Sequence, residues 1–186
     1  MYRPRALISD CQARLACRFW PGELWRDRSG GTAVEFALIA APFLAVLMAI
    51  VESAIVLLSG QVLQTATANA ARQIKTGQAQ NSAWSAAQFK TYVCGGLTVM
   101  FDCGKLNMDV RAFSAFSSVS LPPVTNADGT PTNAYVYQPG NPGDVVVVRL
   151  IYQWPILASG LGIGLVNSAN HTNTLVASAA FRNEPY

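Results

Sequence analysis

The chain has 186 residues, of which 51% are hydrophobic and only 12% are charged. Soluble domains carry about 25% charged residues, so this composition argues against an ordinary soluble protein. The net charge of +3 lies within residues 1–30, which contain six arginines and three acidic residues. Because the other seven basic and seven acidic residues are scattered along the chain, we expect no nucleic-acid-binding face.

The first predicted element is an apolar helix that is long enough to cross a membrane. A stretch of 27 residues beginning at Thr32 contains only two charges, Glu35 and Glu52, and a spanning helix needs about 20 mostly apolar residues. Arginines that flank such a helix stay in the cytoplasm. We therefore predict a cytoplasmic basic leader at 1–30, a single transmembrane helix at 31–58 and an exported α+β domain at 59–186.

The helix is predicted to continue well beyond the membrane. The stretch QVLQTATANAARQIK, which ends at Lys75, contains no proline or glycine, and its apolar residues recur every three or four positions. Gly77 is a suitable stop signal. One helix from Thr32 to Lys75 would be about 66 Å long, which is twice a bilayer thickness. Its second half must therefore pack on something other than lipid.

The later elements predict a small antiparallel sheet. A short helix is followed by an alternating strand, a loop rich in Pro, Asn and Gly, a β-branched strand, a Gly-rich loop and a final strand. The predicted bounds are, in order, Ser82–Tyr92, Leu106–Ala112, Leu121–Pro142, 144–154, Leu157–Gly164 and Thr172–Arg182. The predicted fold class is α+β, with the second half of the long helix laid on the sheet.

Four cysteines divide between the two predicted compartments. Cys11 and Cys17 lie in the leader, where thiols stay reduced, whereas Cys94 and Cys103 lie in the exported part. An oxidising compartment makes a Cys94–Cys103 disulfide the favoured interpretation. A zinc site is the alternative, but the chain has only one histidine and no C-x-x-C pair.

Candidate catalytic residues are few. The single histidine, His171, lies in an Asn- and Thr-rich stretch typical of a solvated loop. Four of the aspartates, Asp102, Asp109, Asp128 and Asp144, are dispersed next to turn residues, where Asp is used for its backbone hydrogen bonds. No phosphate-binding loop or metal-ligand spacing occurs. We therefore predict no enzyme activity, no cofactor or metal and no small-molecule substrate.

Glu35 stands out because a carboxylate at mid-bilayer costs about 2.5–3.5 kcal/mol. Glu35 and Glu52 are 17 residues apart, or about 25 Å along a helix, so both could mark membrane interfaces. The sequence Ser29-Gly30-Gly31, which precedes Glu35, offers another interpretation of this carboxylate. A cut between Gly30 and Gly31 would make Glu35 the fifth residue of the new chain and Phe36 the sixth.

This arrangement resembles the prepilin-peptidase signal of type IV pilins. More narrowly, RDRSGGTAVEFALIAAPFL and VLQTATANAARQIKTGQ, together with the late AAFRNEP, are similar to TadE-like proteins, the minor pilins (pseudopilins) of tight-adherence (Tad/Flp) pilus systems. The resemblance implies a pilin-like fold, a role in pilus assembly, adherence and biofilm, and a place in the bacterial inner membrane. It implies cleavage by a prepilin peptidase at Gly30–Gly31. It also implies an assembly role for Glu35, beside Phe36, and contacts with other Tad pilins and the assembly platform.

There are three alternatives at the level of sequence, and one of them, a membrane-tethered enzyme, would need a site that the sequence does not show. An uncleaved, single-span structural protein of the cell envelope would show the same hydropathy, and only the Gly-Gly-to-Glu spacing separates the two. A secreted protein with an ordinary signal peptide is the third, because Ala66-Thr-Ala68 resembles a signal-peptidase site. Such signals have apolar regions of about 7–15 residues near the start of the chain, which this sequence does not match.

Overall fold

The computed structural model describes residues 30–97, 100–132, 134–156 and 171–186. Within them, helices α1 to α3 precede strands β1 to β3, with short 3-10 turns between. The elements are α1 (Gly31–Lys75), α2 (Gln78–Asn81), α3 (Ala86–Gly95), a turn at Cys103–Lys105, β1 (Asn107–Phe113), a turn at Phe116–Ser118, β2 (Val145–Pro155) and β3 (Thr172–Arg182). The predicted α+β class, with one long apolar helix on a small antiparallel sheet, is confirmed.

The chain divides into two compact units, Met1–Leu44 and Ala45–Tyr186. The described part of the first unit is the beginning of α1, and the second unit contains every other element. Residues 1–29 of the predicted leader and the predicted Gly-rich loop at 157–164 lie outside the described residues.

The sheet has the order β1-β2-β3, and both pairings are antiparallel. The register places Asp109 opposite Arg149 and Arg149 opposite Ser178. The central strand β2 is buried on both faces over its first eight residues, Val145–Tyr152. A continuous apolar run is the sequence pattern of a strand covered on both sides, and VVVV at the start of β2 follows it.

The second half of α1 covers one face of the sheet. Its fully buried residues Leu63, Ala70 and Ile74 belong to the same core cluster as Val148 and Leu150 of β2. Small residues of α1, Ala66, Ala70 and Ala71, belong to the same buried cluster, and burial of apolar surface is the main stabilising contribution in a domain.

Helix α3 begins later than predicted, at Ala86 rather than Ser82. The hydroxyl of Ser85 accepts a hydrogen bond from the Gln88 amide, and the Gln88 side chain accepts one from the Ser85 amide. This reciprocal pair is a capping box, which defines the helix start. The signal S-x-x-Q was present in the sequence and was missed.

The segment between β1 and β2, residues 114–144, covers the second face of the sheet. Arg149 donates through Nη1 to the carbonyl of Pro122 (2.8 Å), and Gln153 donates to that of Gly129 (3.4 Å). This segment was predicted as loop over Leu121–Pro142, and the described residues of that range form isolated bridges, Thr125 with Pro131 and Tyr137 with Val110 of β1. Backbone hydrogen bonds also join it to β1: the Val110 amide donates to the Val136 carbonyl (2.8 Å), and the Gln138 amide donates to the Val110 carbonyl (2.9 Å). Side chains and backbone together therefore fix this segment to the sheet.

Candidate functional site

The first turn of α1 contains the two glycines of the predicted cleavage site. The carbonyl of Gly30 accepts hydrogen bonds from the amides of Ala33 (3.1 Å) and Val34 (3.2 Å), so Gly30 precedes the helix and Gly31 is its first residue. Within the described part of the chain, a Cβ atom at either glycine would meet nothing within 4 Å, and Gly31 has no positive φ. Packing there therefore explains neither glycine, and backbone conformation does not explain Gly31.

Glu35 and Phe36 follow in the next turn and are both exposed. Phe36 has 74% of its surface accessible, and Glu35 is likewise classed as exposed. Among the described residues, Glu35 has no hydrogen bond or ion pair. Gly30, Gly31, Glu35 and Phe36 thus share one accessible end of α1, and their proposed roles remain predictions.

The apolar part of α1 is exposed around its whole circumference. None of the most apolar 18-residue window is buried, and the helix is long and apolar enough to cross a membrane. A helix that is apolar on all sides needs lipid or other helices around it. Large apolar side chains with at least 40% of their surface exposed occur from its first turns onward: Val34, Phe36, Leu38, Ile39, Phe43, Leu44, Val46, Leu47, Met48, Ile50, Val51, Ile55, Leu57 and Leu58.

Within the second unit, α1 acquires a buried face. The first buried position is Glu52, which is 8% exposed, followed by Val56 and Ser59. The hydroxyl of Ser59 donates to the carbonyl of Ile55 (2.8 Å), which satisfies the hydroxyl without a partner outside the helix. Glu52 and Glu35 therefore differ in environment, because the first is buried by the protein and the second is not.

Cys94 and Cys103 are joined in the structure, with Cα atoms 5.9 Å apart. This distance lies within the usual range for disulfides. The bond connects the end of α3 to the 3-10 turn before β1. In the described part of the chain, no group of three metal-ligating side chains occurs, and His171 adopts a positive φ of 55° beside β3.

A buried charged cluster lies between the sheet and the 114–144 segment. Asp109 of β1 accepts hydrogen bonds from Nε of Arg111 (3.0 Å), from Nε of Arg149 (3.1 Å) and from the amide of Val136 (3.0 Å). Nη2 of Arg149 forms a further short contact with the same carboxylate. Arg111 also donates to the carbonyl of Ala134 (2.6 Å). The cluster therefore fastens the covering segment to the sheet.

The interpretation of Asp109 as an aspartate beside a turn is wrong. It lies in the middle of β1, with its side chain 1% exposed. Burial alone would raise the pKa of Asp109, but hydrogen bonds from Arg111, Arg149 and the Val136 amide together hold that pKa below its usual value. The predicted strand Leu106–Ala112 already placed Asp109 and Arg111 on one face, but nothing in the sequence indicates that this face is covered. The other three aspartates do bond backbone amides in turns, at Gly104, Thr130 and Asn141.

Fold and site together define a class of protein: a small α+β domain on a long helix whose beginning is apolar on all sides. Residues 30–72 match the TadE-like protein family, the family that the resemblance suggested. The match covers the first 42 residues of α1, from Gly31 to Arg72, and Gly30 before it. No curated protein and no solved structure matches the chain significantly.

The family match indicates the general functional context of the protein. TadE-like proteins are a structural, pilus-associated family that is not known as enzymatic. The match therefore suggests a Tad pilus-associated protein and implies association with Tad pilus components and with a membrane. The exposed apolar helix is consistent with single-pass anchoring.

Proposed function

We propose that this protein is a pilin-like assembly subunit of a Tad-type pilus, and that it acts in pilus biogenesis, surface adherence and biofilm formation. It is inserted in the bacterial inner membrane by α1, with the leader in the cytoplasm and the α+β domain on the periplasmic or extracellular side. A prepilin peptidase cuts it between Gly30 and Gly31. Other Tad pilins or pseudopilins and the assembly platform are its partners.

The observation that carries this proposal is the pair of glycines that the fold does not require. Glycine costs about 1 kcal/mol relative to alanine in a helix interior but is well tolerated at the start of a helix, so the fold permits two adjacent glycines here without requiring them. A peptidase that must bind the backbone closely supplies a reason for them, because a residue without a side chain allows close approach. The glycines also lie at the start of the segment that matches the TadE-like family.

The exposed carboxylate of Glu35 fits the same mechanism. After the cut, every subunit would carry an ammonium group on Gly31, four residues before Glu35. In the apolar environment of lipid or bundled helices, this ammonium on one subunit and the carboxylate on its neighbour are less costly as a pair than alone. Such a pair also fixes the axial register of two helices. Glu35 would therefore act as a register device between subunits.

Glu35→Gln tests the register role, because it removes the charge and preserves the shape of the side chain. We expect the variant to be cleaved at a near-normal rate but to enter the pilus poorly, as measured by co-purification with the other pilus subunits and by counting pili. Thr32→Ala is the matched control, since Thr32 is a polar, exposed residue in the same stretch of helix. Normal piliation in the Glu35→Gln strain would contradict the proposal.

Gly30→Leu tests the processing step separately. A side chain at Gly30 meets no described atom, so the domain should fold normally while the leader stays attached, as measured by intact mass. Gly60→Leu is the control, because a Cβ at Gly60 also meets nothing within 4 Å. Complete removal of the leader in the Gly30→Leu variant would favour the alternative of a differently processed envelope protein. A leader retained even in the wild type would favour an uncleaved anchor.

A further inference from the structure

Residues Asn183–Tyr186 follow β3 and lie across the last turn of α1; we call them the C-terminal strap. The amide of Glu184 donates to the carbonyl of Lys75 (2.9 Å), the last residue of α1. The last four carbonyls of a helix lack partners within the helix, so the strap satisfies one of them. The strap directly follows Arg182, the last residue of β3, and it contacts residues 75–77 at the end of α1.

Tyr186 packs directly on Gly77, which follows α1. Gly77 is buried, and its φ of +73° is one that residues with side chains rarely adopt. A Cβ built on Gly77 would overlap Cγ and both Cδ atoms of the Tyr186 ring. The ring therefore occupies the space that a side chain at residue 77 would need.

Asn183 anchors the strap to the turn before β2. It is 3% exposed, and its Nδ2 donates to the carbonyls of Pro139 (3.0 Å) and Asn141 (3.1 Å). Its amide donates to the carbonyl of Asp144 (2.8 Å). Gln80 of α2 donates to the same Pro139 carbonyl (2.9 Å). The strap thus connects the end of α1, the short helix α2 and the entry to the central strand.

We propose that the C-terminal strap is a conformational lock that holds the end of α1 on the sheet, and that its closure depends on the Tyr186 ring resting on Gly77. The Lys75–Glu184 ion pair (3.4 Å) adds little, because both side chains are about half exposed and surface pairs are weak. The essential contacts are the Glu184 amide, the Asn183 side chain and the aromatic ring. This device is independent of cleavage and of pilus assembly.

Hydrogen–deuterium exchange of the full-length protein in detergent micelles tests the lock. The amides of Thr76 and Gly77, which bond to the carbonyls of Arg72 and Ile74, report on the end of α1. Tyr186→Ala should raise their exchange rates about tenfold, since it removes the aromatic ring that packs on Gly77. Tyr186→Phe should leave the rates unchanged, because the ring carbons make the contact. Unchanged exchange in Tyr186→Ala would overturn the proposal.

A double-mutant cycle then tests whether the ring depends on Gly77. Gly77→Ala suffers both backbone strain and a clash with the ring, whereas Gly77→Ala combined with Tyr186→Ala suffers only the strain. The two effects on exchange should therefore be clearly less than additive. Additive effects would show that the ring and the glycine act separately and would contradict the lock. If Gly77→Ala does not fold, the comparison of the two Tyr186 variants still decides the question.

Discussion

Replacing Asp109 by asparagine removes one negative charge from the buried cluster and leaves the shape of the side chain nearly unchanged. The carboxylate of Asp109 is 1% exposed, and the side chain of Arg149, its cross-strand partner, is 9% exposed. Arg111 is more accessible, with 21% of its side chain exposed. The variant would leave the Arg149 guanidinium buried without a counter-charge.

Removing one partner of a buried ion pair costs about 3–5 kcal/mol, because the remaining charge is desolvated and unpaired. Two further contacts depend on the same arginines, since Arg149 holds the carbonyl of Pro122 and Arg111 holds that of Ala134. For a domain of this size, the loss corresponds to a fall in the unfolding temperature of roughly 10–20 °C. We expect the 114–144 segment to detach first.

Thermal unfolding of the full-length protein in detergent, followed by circular dichroism, measures this loss. Asp102→Asn is the matched control, because the Asp102 side chain is 58% exposed and lies 3.9 Å from Lys105 in a weak surface pair. We expect the control to change the unfolding free energy by less than about 1 kcal/mol. A loss below about 1 kcal/mol in Asp109→Asn would refute the argument that this carboxylate holds the covering segment.

Three further predictions follow from other parts of the fold. The pKa of Asp109 is lower in the folded state than in the unfolded state, so its charge stabilises the protein fully above the unfolded pKa of about 3.9. This stability is lost as the pH falls through the folded pKa. In pH-dependent denaturation, Asp109→Asn should therefore weaken the loss of stability at acid pH. Cys94→Ala should lower the unfolding free energy by about 2–3 kcal/mol, and peptide mapping without reductant should recover Cys94 linked to Cys103. Leu63→Ala should lower the unfolding free energy by about 2–5 kcal/mol, because Leu63 is fully buried. Leu57→Ala on the same helix should lower it by less than about 1 kcal/mol in detergent, because Leu57 is 72% exposed. Equal losses measured by thermal denaturation would contradict the assignment of the buried face of α1.

Local patterns were enough to predict most elements of the fold. The uninterrupted apolar helix was predicted from Thr32 to Lys75 and is observed from Gly31 to Lys75. The last strand was predicted with its observed bounds, and β1 and β2 lie within one residue of theirs. These elements are long or strongly periodic, so each is specified by its own sequence. The start of α3 was wrong because the capping signal at Ser85 was not weighed.

Long-range contacts were not predictable in the same way. The role of Asp109 depends on the register that places it opposite Arg149, and a single sequence does not specify register. The contact of Tyr186 with Gly77 joins positions 109 residues apart and arises only when β3 returns beside α1. In the same way, the exposure of Glu35 and the room around Gly30 are properties of the folded chain, although the spacing itself was visible in the sequence.

The N-terminus of the protein recovered from native membranes is the most direct test of the central claim. Intact mass and terminal sequencing determine whether residues 1–30 are removed. The account predicts a chain that begins at Gly31, with Glu35 as its fifth residue. A chain that begins at Met1 would contradict it, because no new ammonium group would exist for Glu35 to pair with, and the protein would then be a fixed membrane anchor.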